Sequence, residues 1–243
     1  MKGGIRMALL AAAALTITTA AHADIVLLNP GPPINSFVDL GAQGFGNAPR
    51  LLTLQTNTVE TGNVTPVDAV HNDAISGADK STTPTIAQAG WTSGATVGIG
   101  FNSDQTGQTG VTMQSLTLTI YSGTTAVGSF NLAPVPLQFA ASDLKLEPGN
   151  GNAVFDFKLD AAQQAQFDAI LAQSGSAAFF IGLGAQLGCP AASATCQPSN
   201  DGPDTFLAFA QAGQQVVPLP SAMWLFGSGL AGLIALSRKR KAA

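Results

Sequence analysis

Residues 111–132 read Val111-Thr-Met-Gln-Ser-Leu-Thr-Leu-Thr-Ile-Tyr-Ser-Gly-Thr-Thr-Ala-Val-Gly-Ser-Phe-Asn-Leu132. Leu116, Leu118 and Ile120 alternate with Thr117, Thr119 and Tyr121. That period of two belongs to a strand with one face in a core and one in solvent. Ser122-Gly123-Thr124 supplies a turn, so residues 125–132 are expected to run back as the hairpin partner.

The same pattern recurs on both sides. Residues 24–28, 36–40, 50–56 and 95–101 are β-branched or apolar runs bounded by Gly, Pro and Asn. Gly41 to Gly46 reads as a loop. Residues 60–86 are rich in Thr, Asn, Asp, Ser and Pro without helical periodicity, and read as a long, partly extended excursion. After Asn150-Gly151, the run 154–159 places Phe155, Phe157 and Leu159 inward and Asp156 and Lys158 outward. One helix is expected over 161–173, with Asp160 as N-cap, Phe167, Ile170 and Leu171 on one face, and Gly175 just beyond. Residues 177–185 read as a fully buried strand, and the loop closed by the cysteines and residues 204–210 complete the body. Many short strands, abundant Gly and Thr and one short helix predict a mainly β domain, an antiparallel β-sandwich of jelly-roll-like type, over 24–210. No internal repeat is visible.

Composition narrows the partners. Ten Lys and Arg are present, but two precede residue 24 and four follow residue 237, leaving Arg50, Lys80, Lys145 and Lys158 against fourteen carboxylates. The 24–210 body therefore carries a formal charge of −10. Such a surface repels phosphate backbones, so nucleic acid is not an expected partner, nor is an anionic lipid surface. The charge also serves solubility. Roughly 190 residues suffice for one sizeable core.

Both flanks read as addresses. Residues 1–23 combine Lys2 and Arg6, an apolar stretch from Met7 to Ile17, and Ala21-His22-Ala23. That is a signal peptide with Ala21 and Ala23 at its cleavage site and Asp24 as the new terminus; a retained anchor is the alternative. Residues 211–216 form a polar linker. From 217 the chain reads Val217-Pro-Leu-Pro220, an uncharged apolar segment 221–237, then Arg238-Lys-Arg-Lys241. Seventeen helical residues span about 25 Å, enough for a short transmembrane helix in a hydrocarbon core of roughly 30 Å. Trp224 suits one interface and the four cations the cytoplasmic side, which puts the body outside the inner membrane. Gly227, Gly229 and Gly232 could form a helix-packing face, or be ordinary small residues of such a helix.

This tail, residues 217–243, resembles the PEP-CTERM sorting signal of exported proteins from exopolysaccharide-making Gram-negative bacteria. The resemblance rests on Pro218-Leu219-Pro220, Ser221-Ala222, the Trp224-Leu-Phe-Gly-Ser-Gly-Leu230 core and the basic stop Arg238, Lys239, Arg240 and Lys241. Leu219 stands where the name-giving Glu usually lies. The resemblance implies a partner, the intramembrane cysteine peptidase exosortase, and a route through the Sec machinery and inner membrane to the cell surface or biofilm matrix. A plain permanent anchor is the competing reading of the tail.

Chemistry within the body is sparse. His71 is its only histidine, in His71-Asn72-Asp73, and is expected in an exposed polar loop; no Gly-x-Ser-x-Gly sequence accompanies it. A glycosidase would need two carboxyls flanking a bond, and among fourteen acids the sequence selects no pair. Asn200-Asp201-Gly202-Pro203-Asp204 offers oxygen ligands, so Asp201 and Asp204 are weak calcium candidates, although these residues also make ordinary turns. Calcium is the one cofactor this pattern allows. Trp91 belongs either to the core or, with segment 60–86, to a sugar-binding edge. Cys189 and Cys196 are the only cysteines and, in an exported body, are expected to form a disulfide. The sequence thus predicts an exported, non-catalytic β-sandwich with a structural or adhesive role in an exopolysaccharide matrix. A carbohydrate-binding module and a secreted hydrolase are the alternatives.

Overall fold

In the computed structural model the 111–132 stretch forms the hairpin that its alternation predicts. Strand β7 (Val111–Ser122) pairs antiparallel with β8 (Thr125–Leu132), with Leu118 opposite Phe130 and Thr117 opposite Asn131. Leu116, Leu118 and Ile120 are buried, whereas Thr117, Thr119 and Tyr121 stay half-buried on the outer face. The structure describes residues 24–28, 37–39, 48–67, 69–105, 109–146, 153–200 and 202–211. The expected signal peptide 1–23, most of linker 211–216 and the tail 217–243, with its transmembrane helix, lie outside them, as do the loop at 41–46 and the turn at 150–151. Among the described residues no helix is long and apolar enough to cross a membrane.

The remaining strands are β1 (Asp24–Leu27), β2 (Phe37–Asp39), β3 (Arg50–Leu54), β4 (Asn57–Thr65), β5 (Ala69–Asn72), β6 (Val97–Asn102), β9 (Leu137–Phe139), β10 (Ala153–Leu159), β11 (Phe180–Gly188), β12 (Ser199–Asn200) and β13 (Asp204–Ala210). They join in one ladder, β12-β4-β11-β7-β8-β1-β10-β6-β13-β3, with β5 on β4, β9 on β7 and β2 on β10. Pairing is antiparallel throughout except between β1 and β8. The expected β-rich, mostly antiparallel body is thus realised as a single sheet that curls over. Phe139, on the β7 side, lies 5.3 Å from the Phe101 ring of β6 and 4.7 Å from the Phe155 ring of β10. Across the seam, segment 73–75 bonds to both β4 and β3, through Asp73 N to Thr61 O (3.0 Å) and Ile75 N to Thr53 O (2.9 Å).

Among the described residues of the body, three short helices are present where the sequence predicts one. The expected one, α3 (Ala161–Leu171), begins where Asp160 Oδ1 accepts from Gln163 N at 2.8 Å, and Gly175 follows it with φ +78°. Asp160 Oδ2 also accepts from Asp24 N at 2.8 Å, tying β1 to the head of the helix. Phe167 and Ile170 seal one end of the core, with Phe167 edge-on to Trp91 at 5.8 Å. Burying each such side chain contributes about 1.5–3 kcal/mol. The helix can approach residues 94–96 this closely because Gly94 has no Cβ: an added one would stand 2.4 Å from the Gln164 backbone. The others, α1 (Ile86–Ala89) and α2 (Ala141–Leu146), are too short to show a period. In α1 the only local signal is the Thr85–Gln88 capping box.

Several expectations need correcting. Segment 60–86 is no mere excursion: β4 and β5 pair within it, and β4 also pairs with β11 over six residues. Its inward positions hold Glu60, Gly62 and Val64, so a hydrophobic alternation is missing although the register is kept. His71 is half-buried in β5, opposite Asn63, not in an exposed loop. Strand β11 starts only at Phe180, after a 3-10 turn over Ser176–Ala178, and its Gly184 and Gln186 are half-buried, not fully covered. Asp156 does alternate with the phenylalanines, yet it is 2 % exposed, because the chain leaving β13 covers that face and Gln211 Nε2 donates to Asp156 Oδ1 at 2.5 Å.

Candidate functional site

Two polar features stand out from the apolar core. The first is a pair of buried carboxyls. Glu60 projects inward from β4, and Asp204 opens β13; both are 0 % exposed. Glu60 Oε1 accepts from Thr56 N at 2.9 Å, and Asp204 accepts from Gln105 Nε2 at 2.9 Å, with Ser199 Oγ at 3.5 Å. Burial raises both acids above the usual carboxylate range, and Coulombic repulsion between the two adds to the rise at Asp204. Glu60 Oε2 has no donor among the described residues. One proton held between Glu60 and Asp204 would satisfy such a pair, because a carboxyl beside a carboxylate can donate where two carboxylates cannot. By chemistry alone the pair is similar to a glycosidase couple, but it is sealed from solvent, whereas that reaction needs a cleft.

The second feature is a trough on the outer face of β4, β11 and β7. Register aligns His71, Asn63, Gly184, Thr117 and Asn131 across five strands. One step along, Gly182 lies opposite Thr119 and Thr119 opposite Ser129. Glycine on the middle strand lowers the floor between two raised polar rows, leaving a depression of about 230 Å³. Tyr121 leans over one end: a Cβ on Gly182 would stand 2.7 Å from its ring. On the far wall Thr117 Oγ1 donates to Asn131 Oδ1 at 2.9 Å. Among the described residues, no charged side chain lines the trough. The sequence shows the Thr-x-Thr-x-Tyr face as outward but not as a site. The missing signal is the Gly182-Leu-Gly184 spacing, which acquires meaning only once β11 is placed beside β7.

The other candidate residues fall out as follows. Cys189 and Cys196 are joined, with Cα atoms 6.3 Å apart. Asp204 is committed to Gln105 and Glu60 and lies in a strand, not in a surface turn; Asp201 lies outside the described residues. Among the described residues no three His, Cys, Asp or Glu gather as a metal site. Trp91 is 3 % exposed and its Nε1 donates to Phe209 O at 2.9 Å, which places it in the core and removes it from any sugar-binding edge. Ala21, Ala23, Pro218, Leu219, Pro220 and Arg238 to Lys241 lie outside the described residues.

Comparison with known proteins adds to the tail, not to the body. No curated protein and no solved structure matches the chain. Residues 216–241 match the family model of the PEP-CTERM protein-sorting motif, spanning the Pro-Leu-Pro, the apolar segment and the basic stop. That motif indicates an exported chain handled by exosortase and sorted to the cell surface or beyond. The chain is a PEP-CTERM motif-bearing protein with a curled, β-rich body.

Proposed function

We propose that this chain is an exported, non-catalytic protein whose jelly-roll-like β-sandwich body ends up as a structural or adhesive element of a cell surface or exopolysaccharide matrix. The observation that carries this reading is the sorting motif at 216–241. In transit, segment 221–237 holds the chain in the inner membrane of a Gram-negative bacterium, with Arg238 to Lys241 in the cytosol. Exosortase then acts near Pro218-Leu219-Pro220, so the covalent chemistry belongs to the partner. The body's features suit that destination: a formal charge of −10, a disulfide appropriate to an oxidising compartment, and a closed apolar core.

The test is to express the chain in an exosortase-bearing host, fractionate the cells, and determine the C-terminus of the mature protein by mass spectrometry. The reading expects loss of Arg238-Lys-Arg-Lys241 and retention in the cell when 217–243 are deleted. An intact basic end on the surface protein overturns exosortase processing, and unchanged delivery of the deletion overturns the sorting role.

A further inference from the structure

We propose that the trough over β4, β11 and β7 is a binding site for a neutral polysaccharide strand. The inference rests on the exported reading only for access, since outside the cell the chain would meet such polymers; the site itself is argued from its geometry.

The lining selects the ligand class. Asn63 and Thr119 present an amide and a hydroxyl able to donate and accept, and Thr117 Oγ1, whose proton goes to Asn131 Oδ1, can accept, which is the pairing that vicinal sugar hydroxyls require. With no Lys, Arg or His among the lining residues, phosphate or uronate has no counter-charge there; with no Asp or Glu, a metal ion has no anionic ligand. Polar rows flanking backbone also offer little to an apolar helix. Tyr121 adds an aromatic face at one end, half-buried because it leans on Gly182. It is the only tyrosine in the chain, set on an outward strand position among threonines.

Shape points the same way. From Thr117 to Tyr121 the trough runs about 13 Å along the strands, and it lies open on the sheet surface, as suits a stretch of chain and not a single enclosed ring. Its floor is backbone: Gly182 and Gly184 stand where any larger side chain would fill the groove. At Gly184 an added Cβ would stand 3.3 Å from Asn63 Cβ, a tight contact, and at Gly182 it would stand 2.7 Å from the Tyr121 ring and 2.8 Å from Val64 O, so packing against the neighbouring strands holds the floor at backbone level.

The experiment uses the full chain in detergent, with plates coated by neutral polymers (a β-glucan, a xylan and a galactomannan) and by two anionic ones (alginate and polygalacturonate). Saturable binding to at least one neutral polymer is expected. Tyr121→Ala and Gly184→Val are each expected to weaken it by about tenfold or more, the loss of one or two good contacts. Gln166→Ala, on the exposed side of α3, leaves it unchanged. Thr119→Ala serves as a second surface change should Gly184→Val fail to fold by circular dichroism. No binding to any neutral polymer, binding to the anionic pair alone, or binding that survives Tyr121→Ala and Thr119→Ala overturns the proposal. Because this is measured on purified protein, its failure is distinct from a failure of export, which fractionation reports.

Discussion

Glu60 of β4 and Asp204 of β13 bring their carboxyls together inside the core, from strands 144 positions apart in sequence, with Thr56, Asp104 N, Gln105 and Ser199 among the donors around them. Both acids are raised by burial, so the folded pair binds more protons than the unfolded chain between the ordinary carboxylate range and neutrality. Stability therefore falls as pH rises through that window. Glu60→Gln keeps an acceptor for Thr56 N and gives Asp204 a permanent donor. The expected outcome is a gain of about 1–3 kcal/mol at pH 8 and little change at pH 4, read from urea unfolding at both values. Equal effects at the two pH values would contradict the shared proton.

Asp156 makes a parallel case elsewhere in the sheet. Burial pushes it up to about 7, against the opposing pull of Gln211 and Lys158. An acid raised on folding contributes most below its unfolded range and loses that contribution as pH climbs from about 4 to 7, a loss on the order of 4 kcal/mol at most. Asp156→Asn retains the acceptor for Gln211 Nε2 and is expected to flatten the stability profile between about pH 4 and 7. A thermal midpoint series across that range checks it.

The Cys189–Cys196 bridge closes a short loop, with a sequence separation of 7. Restricting so small a loop in the unfolded chain is worth roughly 2–3 kcal/mol. The paired Cys189→Ser and Cys196→Ser variant is expected to lose that amount in urea unfolding while keeping its circular dichroism, because β11 is held on both edges by β4 and β7.

Asp160 carries two bonds, to Gln163 N in α3 and to Asp24 N in β1. Asp160→Ala removes both and is expected to cost about 1–3 kcal/mol, more than an ordinary lost N-cap. Asp160→Asn, which keeps an acceptor oxygen for the cap, is expected to cost less, and hydrogen exchange should show β1 amides opening first.

What can be read in advance follows from how each element is specified. The β7–β8 hairpin and α3 are legible because their signals are local: a period of two across Leu116, Leu118 and Ile120, and a capped helix from Asp160 with Gly175 beyond it. Strand β4 is not, since Glu60 and Gly62 occupy the inward positions where an alternation needs apolar side chains, and their fit depends on Asp204 and Leu54 arriving from other strands. Asp156 takes the face its alternation predicts but a different environment, because alternation tells which side a residue points to and not what later covers it. The trough is illegible for a related reason: Thr117 and Thr119 line a groove only because Gly182 and Gly184 are their neighbours in register.

The bond from Asp24 N to Asp160 Oδ2 has a consequence for the newborn chain. In the uncut chain that nitrogen is a neutral amide. Were the chain cut after Ala23, it would become an ammonium group already 2.8 Å from a carboxylate oxygen, and a charge-assisted contact of that kind is roughly twice as strong as its neutral counterpart. Maturation would then tighten the very corner where the first strand meets the long helix, so that the trimmed form resists fraying and exoproteolysis from its front end better than the precursor does.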